Sequence, residues 1–183
     1  MKTIIRKAYW NYEKEEEWLN EMSAKGLALT DYSWCRYVFT DSLPGEYIYR
    51  IQLLENPPSH PASQKYLRFI EENGVEHIAS YMRWVYFRKK ASDGAFDIYS
   101  DIDSKIKHYQ RINQFWVALS SFELIVGLWV FFSGIGLLTR SYISFVQMIL
   151  GGICFFIGIG YFILSHPLRK KIRRLKKDKL ITE

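Results

Sequence analysis

The sequence predicts an α+β fold, a ferredoxin-like antiparallel sandwich of order β-α-β-β-α-β plus an extra strand, followed by a two-helix transmembrane hairpin. Three observations carry this. Residues 1–100 switch repeatedly between strand-like and helix-like periodicity. Phe115–Leu138 and Tyr142–Leu164 contain one charged residue between them, Glu123. A dense run of Lys and Arg follows at once. The expected division is a cytoplasmic α+β domain over 1–100, a connecting helix over 101–114, spans over 115–138 and 142–164, and a basic cytoplasmic tail over 165–183.

Thr3 to Tyr9 has the residues of a short strand. Asn11 suits a helix N-cap, Glu13, Glu15, Glu16 and Glu17 suit the positive first turn, and Lys25-Gly26 suits the stop. Trp18, Leu19 and Met22 are its apolar stripe. Leu27 to Thr40, aromatic and β-branched, predicts one strand, bent if need be. Pro44-Gly45 fits the centre of a type II turn. Tyr47, Tyr49, Ile51 and Leu53 alternate as a paired strand does. Pro61 starts and Gly74 ends a second helix. Ile78 to Lys90 predicts a further strand, turned by Ser92-Asp93-Gly94 into another over Phe96 to Tyr99. Aromatic residues fall on both strand faces, so one face should be half-exposed or meet a partner or ligand. The candidate surface is Trp34, Tyr37, Tyr49, Arg50, Arg83 and Trp84.

Ser100 with Asp103 resembles a capping box, and Asp101 to Leu138 predicts one continuous helix. Each apolar stretch reaches about 34–36 Å, against a hydrocarbon core of roughly 30 Å. Ser120, Glu123, Gly127 and Gly134 share a face of the first, and Gln147, Gly151, Cys154 and Gly158 a face of the second. Small residues allow close approach, so these faces are the expected seam. Glu123 is expensive in a membrane and should find a partner at a seam, within the hairpin or between protomers.

Charge gives the orientation. From His166 onward, eight Lys and Arg stand against Asp178 and Glu183, which equals the whole net charge of +6. The rest of the chain is balanced. By the positive-inside rule both termini face the cytoplasm, with Thr139-Arg140-Ser141 as the outer loop of a multi-pass cell-membrane protein. Arg169, Lys170, Lys171, Arg173, Arg174, Lys176 and Lys177 are candidates for anionic lipid. Cys35 and Cys154 are too differently placed to pair, and no charge-free N-terminal segment suggests a signal peptide.

Catalytic signals are missing. There is no phosphate-binding Gly loop, nucleophile elbow or metal-ligand spacing, so no catalytic residue, cofactor or metal is expected. His60, His77, His108 and His166 are scattered and read as ordinary polar residues. Arg88, like Arg50 and Arg83, is expected to pair with nearby acids. The aromatic pattern lacks the Gly-aromatic-Gly run of an RNA-binding sheet, so no nucleic acid is expected.

Tyr9 to Met22 (YWNYEKEEEWLNEM) followed by Lys25-Gly26 is a distinctive block, and Pro44-Gly45-Glu46-Tyr47 and Trp84 to Lys90, continuing to Phe96–Asp101, are others. In these blocks, over about Ile5 to Tyr109, the chain resembles a bacterial membrane-protein family classed as domain of unknown function two-eight-one-two. The resemblance implies a Bacillota source, C-terminal spans, and genes beside PadR-like transcriptional regulators. It brings no activity or site residue.

The expected function is that of a non-enzymatic membrane-anchored regulator or sensor, whose cytoplasmic domain binds a partner protein or small ligand in an envelope-stress or PadR-linked setting. The alternative is an accessory subunit of a transporter or other membrane complex. Expected partners are the lipid bilayer and a homodimer or membrane-protein partner. An enzyme acting on a lipid is the third class, and it lacks a catalytic set.

Overall fold

Asn11, in an extended conformation, accepts the Glu13 N–H at 2.9 Å and opens helix α1 (Tyr12–Ala24), preceded by strand β1 (Lys2–Arg6). Gly26, at φ +80°, turns the chain into β2 (Leu27–Ser33), and β3 (Arg36–Asp41) returns. β1 and β2 flank β3, both antiparallel to it. A turn with Pro44 and Gly45 at its centre, Gly45 at φ +71°, leads to β4 (Tyr47–Leu53). Then come α2 (Pro61–Glu72), β5 (Glu76–Tyr81) and β6 (Trp84–Lys90), in a second antiparallel sheet of order β4-β6-β5. The computed structural model describes residues 2–99, 101–136 and 142–182. It forms two compact units, Met1–Ser100 and Asp101–Glu183.

Within the first unit the second sheet repeats the first. Leu29 pairs with Phe39 and His77 with Phe87; Ser33 pairs with Arg36 and Tyr81 with Trp84. The bulges fall at Thr30 and Ile78, and the helix-ending Gly26 and Gly74 have φ +80° and +77°. Each match is shifted by the same 48 residues, so the unit is two βαββ halves in tandem.

This differs from a single ferredoxin-like sheet, and the reason lies at the free edge of β4. Side chains of α1 occupy the outer edge of β4. Asn20 accepts the Tyr49 N–H at 2.8 Å and donates to the Tyr49 carbonyl at 3.2 Å. Glu16 accepts the Ile51 N–H at 3.0 Å, and Ser23 donates to the Tyr47 carbonyl at 2.6 Å. The helix thereby takes the place of a neighbouring strand and closes that edge. The two long expected strands are also each a hairpin, turning at Trp34-Cys35 and at Met82-Arg83. Phe96 to Tyr99 is not a strand; Phe96 is buried with Leu54, Leu67, Val75, Val85 and Phe87. The other core joins both sheets through Leu19, Met22, Leu29, Tyr37, Phe39, Tyr49, Ile51 and Tyr86.

In the second unit Asp101 accepts the Ser104 N–H at 2.6 Å and caps α3 (Ile102–Gly136). The expected cap Ser100, Leu137, Leu138 and the Thr139-Arg140-Ser141 loop lie outside the described residues. α4 (Tyr142–Leu164) follows, and the basic stretch expected as a tail is a helix, α5 (His166–Thr182). The Arg169 N–H reaches the Ser165 carbonyl at 3.1 Å and the Ser165 N–H the Tyr161 carbonyl at 3.1 Å, so helical bonding runs through the junction despite Pro167. Two helices of this unit are long and apolar enough to cross a membrane.

Candidate functional site

In the first unit, five of the six residues expected on one surface are buried or engaged. Tyr37 and Tyr49 are buried. Tyr37 donates to Glu15 at 2.7 Å, and the Tyr49 hydroxyl accepts the Leu29 N–H at 2.8 Å beside the bulge. Alternation along a strand cannot tell which face a second sheet will cover. Arg83 donates twice to the Leu54 carbonyl, at 2.9 and 2.7 Å. Arg50 pairs with Glu16 at 3.2 Å, and Trp84 packs at 5.7 Å on Tyr12.

Trp34 alone stands out, and the fold supplies its companion. Trp34 and Met82 hold equivalent turn positions in the two halves, each 73% exposed, at φ +35° and +54°. The Trp34 ring lies 5.8 Å from Tyr81, so the two hairpin tips meet. Tyr32 continues the cluster inward, 6.1 Å from Tyr81 and 4.3 Å from Tyr86. A left-handed backbone costs a residue with a β-carbon roughly 1–2 kcal/mol, and two-residue hairpins usually put Gly or Asn there. Here that position carries large apolar side chains turned to solvent. Met82 gave no signal in the sequence, because the turn lacks every usual marker.

Beneath the tips lies a buried acid. Glu15, expected among first-turn acids, is 7% exposed and accepts from the hydroxyls of both Tyr37 and Tyr86 at 2.7 Å. Burial pushes its pKa up, more than the two hydroxyls pull it down. Burial and the neighbouring Glu15 push both tyrosines up as well. The signal was present: Glu15, Leu19 and Met22 fall at i, i+4 and i+7, on one helical stripe. Glu16 is likewise raised by burial, against the Ile51 N–H and Arg50.

In the second unit the helices run antiparallel in a steady register. Asp103 meets Lys179 at 2.7 Å, Lys171 lies 4.9 Å over the Tyr109 ring, and Ser120 donates to the Gly158 carbonyl at 2.8 Å. Of the seam residues, Ser120, Gly127, Gly134, Gly151 and Gly158 come together. A β-carbon at Gly127 would sit 2.6 Å from the Phe155 nitrogen, and one at Gly151 2.5 Å from the Phe131 nitrogen. At Gly134 it would meet Met148 and Ser144, and at Gly158 Leu124. Glu123, Gln147 and Cys154 are half-buried beside this line. The Oε1 of Gln147 is shielded and has no hydrogen-bond partner among the described residues.

Of the basic residues, Arg169 donates to Ser165 at 2.5 Å and stacks 4.0 Å over Phe162. Lys170, Arg173, Arg174, Lys176 and Lys177 are exposed on α5. Ile172 is buried, on the side of α5 that carries Lys171 and Lys179 to α3. A groove of about 390 Å³ between the helices is lined by Asp103, Ile106, Lys107, Gln110, Lys176, Lys179 and Leu180.

No curated protein and no solved structure matches the chain. One family model, described as Protein of unknown function (DUF2812), matches residues 11–121, from the cap of α1 into the apolar part of α3. That match takes in more than half of the sequence, and the chain belongs to the DUF2812 family.

Proposed function

We propose that the chain is a non-enzymatic, membrane-anchored regulatory protein, and that its α+β unit binds a partner protein through the paired hairpin tips. The observation that carries this is the pair Trp34 and Met82, equally exposed at strained turn positions. Strain of this kind persists where the surrounding structure enforces it and is concentrated at functional sites. An exposed Trp adds almost nothing to folding, yet Trp is among the strongest anchors in protein interfaces.

In this reading α3 and α4 cross the cell membrane of a Bacillota cell, with both termini cytoplasmic. The α+β unit works in an envelope-stress or PadR-linked setting, as the family resemblance implies. Trp116 and Tyr161, 5.7 Å apart, suit the cytoplasmic interface. α5 then leaves the bilayer beside α3. Arg169 to Arg174 stand about 8–15 Å beyond Leu164, whereas Lys176 and Lys177 stand about 18–20 Å out. With a Debye length near 10 Å, anionic lipid is met chiefly by Arg169, Lys170, Lys171 and Arg173.

The test is a photo-crosslinking residue placed singly at Trp34, Met82 or Phe69 in the full chain in cells. Phe69 is 58% exposed on α2 and serves as the control. One discrete adduct shared by positions 34 and 82 and absent at 69 supports the reading. Equal adducts at all three overturn it. An accessory-subunit role is favoured by one observation, the Gln147 Oε1 within the apolar helix, which has no hydrogen-bond partner among the described residues.

A further inference from the structure

We propose that the partner reaching the hairpin tips brings an extended segment that adds to the outer edge of β1 as a further strand, with acidic side chains opposite Lys2 and Arg6 and an apolar one opposite Ile4. This rests on the reading that those tips bind a partner protein, and it names the chemistry of that partner.

Backbone geometry leaves that edge open. β1 pairs on one side only, with β3. The Lys7 N–H donates to the Cys35 carbonyl at 2.9 Å, so the strand's period of two turns the main-chain groups of Thr3, Ile5 and Lys7 toward β3. Those of Lys2, Ile4 and Arg6 point outward, and among the described residues no hydrogen bond engages them. The tandem repeat supplies the contrast. Thr40 and Arg88, one repeat apart, pair with Lys2 and Tyr49, so Lys2 and Ile4 correspond to Tyr49 and Ile51. On β4 those outward groups are taken by Asn20 and Glu16 of α1. No described helix does the same for β1.

The side chains select the occupant. Ile5 packs against the core beneath α1, and the opposite face of β1 presents Lys2, Ile4 and Arg6, all exposed, with Ile4 at 56%. Two copies of β1 joined antiparallel about Ile4 would set Lys2 against Arg6 twice, and like charges directly opposite repel. Cationic edges of this kind discourage a strand from pairing with its own copies. A strand with acid, apolar and acid side chains at every second residue meets the same row with two attractive pairs. Its main chain meanwhile satisfies the open N–H and C=O groups, as in other strand additions. β1 also leads to a tip: Arg6 pairs with Arg36, and Cys35, which takes the Lys7 N–H, directly follows Trp34. A segment lying along this edge therefore ends at the tip that carries Trp34.

The probe is a labelled peptide with the core Glu-Thr-Val-Thr-Glu, titrated to millimolar concentration onto the full chain in neutral-lipid nanodiscs and read by fluorescence anisotropy. It should bind at least about 5-fold tighter than a Lys-Thr-Val-Thr-Lys peptide and slow amide exchange over Lys2–Arg6. Lys2→Glu with Arg6→Glu should invert that preference, which attraction to the basic helix α5 alone would not do. Methylating the amide nitrogen of the peptide's Val, which faces β1, should abolish binding. In cells, a photo-crosslinking residue at Ile4 should give the same adduct as at Trp34 and Met82. Absence of peptide binding, or binding that survives the methylation or the charge reversal, overturns the proposal. So does an adduct at Trp34 and Met82 that is absent at Ile4, which leaves the tips as the partner's site and removes only the added strand. If none of the three positions gives an adduct, the tip reading fails and the strand with it.

Discussion

Gly151 and Gly152 are neighbours in one helix, yet they should respond oppositely to the same methyl group. A β-carbon on Gly151 would sit 2.5 Å from the Phe131 nitrogen and 2.8 Å from both the Phe131 Cα and the Gly127 oxygen. These are backbone atoms and cannot swing aside, so Gly151→Ala must move the helices apart by about 1 Å to reach ordinary contact. That displacement carries the Ser120–Gly158 hydrogen bond from 2.8 Å to beyond bonding distance. Overpacking costs about 1–3 kcal/mol, and an interhelical hydrogen bond in a bilayer averages roughly 0.6 kcal/mol. The expected loss is about 2–3 kcal/mol. At Gly152 nothing lies within 4 Å, and Ala is better than Gly in a helix by about 0.8–1 kcal/mol, so Gly152→Ala should be neutral or stabilising. Reversible unfolding in mixed micelles, followed by Trp fluorescence, measures both. Equal effects, or a stabilising Gly151→Ala, would refute the seam.

Asn20→Leu uncovers the β4 edge by removing both bonds to Tyr49, and should cost about 2–4 kcal/mol by urea denaturation, with new self-association. Glu15 has a folded pKa above its unfolded value, so its contribution is fullest below the usual carboxylate pKa and is lost as pH rises through the raised one. Glu15→Gln should therefore gain on the native chain between pH 4.5 and pH 7.5; a difference that stays flat or shrinks contradicts this. Ile172→Ala should loosen α5 at a cost of about 2–4 kcal/mol, seen as faster amide exchange over the helix. Lys179→Ala, which breaks a half-exposed bridge to Asp103, should cost under about 1 kcal/mol.

Punctuation with a backbone cause was legible in the sequence. Asn11, Gly26, Pro44-Gly45, Pro61 and Gly74 stand at the caps and turns their chemistry suits. The hairpins at Trp34-Cys35 and Met82-Arg83 were not, because neither has the Gly, Asn or Asp that marks a two-residue turn. Tertiary structure forces left-handed backbone onto residues that disfavour it. Division into two sheets was also hidden, since it depends on Asn20, Glu16 and Ser23 bonding to a strand far along the chain. Glu15 could have been found on the Leu19–Met22 stripe. Likewise Leu168, Ile172 and Leu175 recur at helical spacing within the basic stretch, and that apolar line distinguishes a packed helix from a tail. The two long apolar helices were plain from composition, but their flanks separate only once the seam is located.

In the proposed topology the helical hairpin returns the basic helix α5 to the side of the membrane from which the chain enters. Asp103→Cys and Lys179→Cys, in a chain lacking Cys35 and Cys154, test it in sealed vesicles of known orientation. Both thiols should react with an impermeant maleimide from the cytoplasmic face alone, and a short cross-linker should join them within one chain. Labelling from opposite faces, or two thiols that never join, would contradict it.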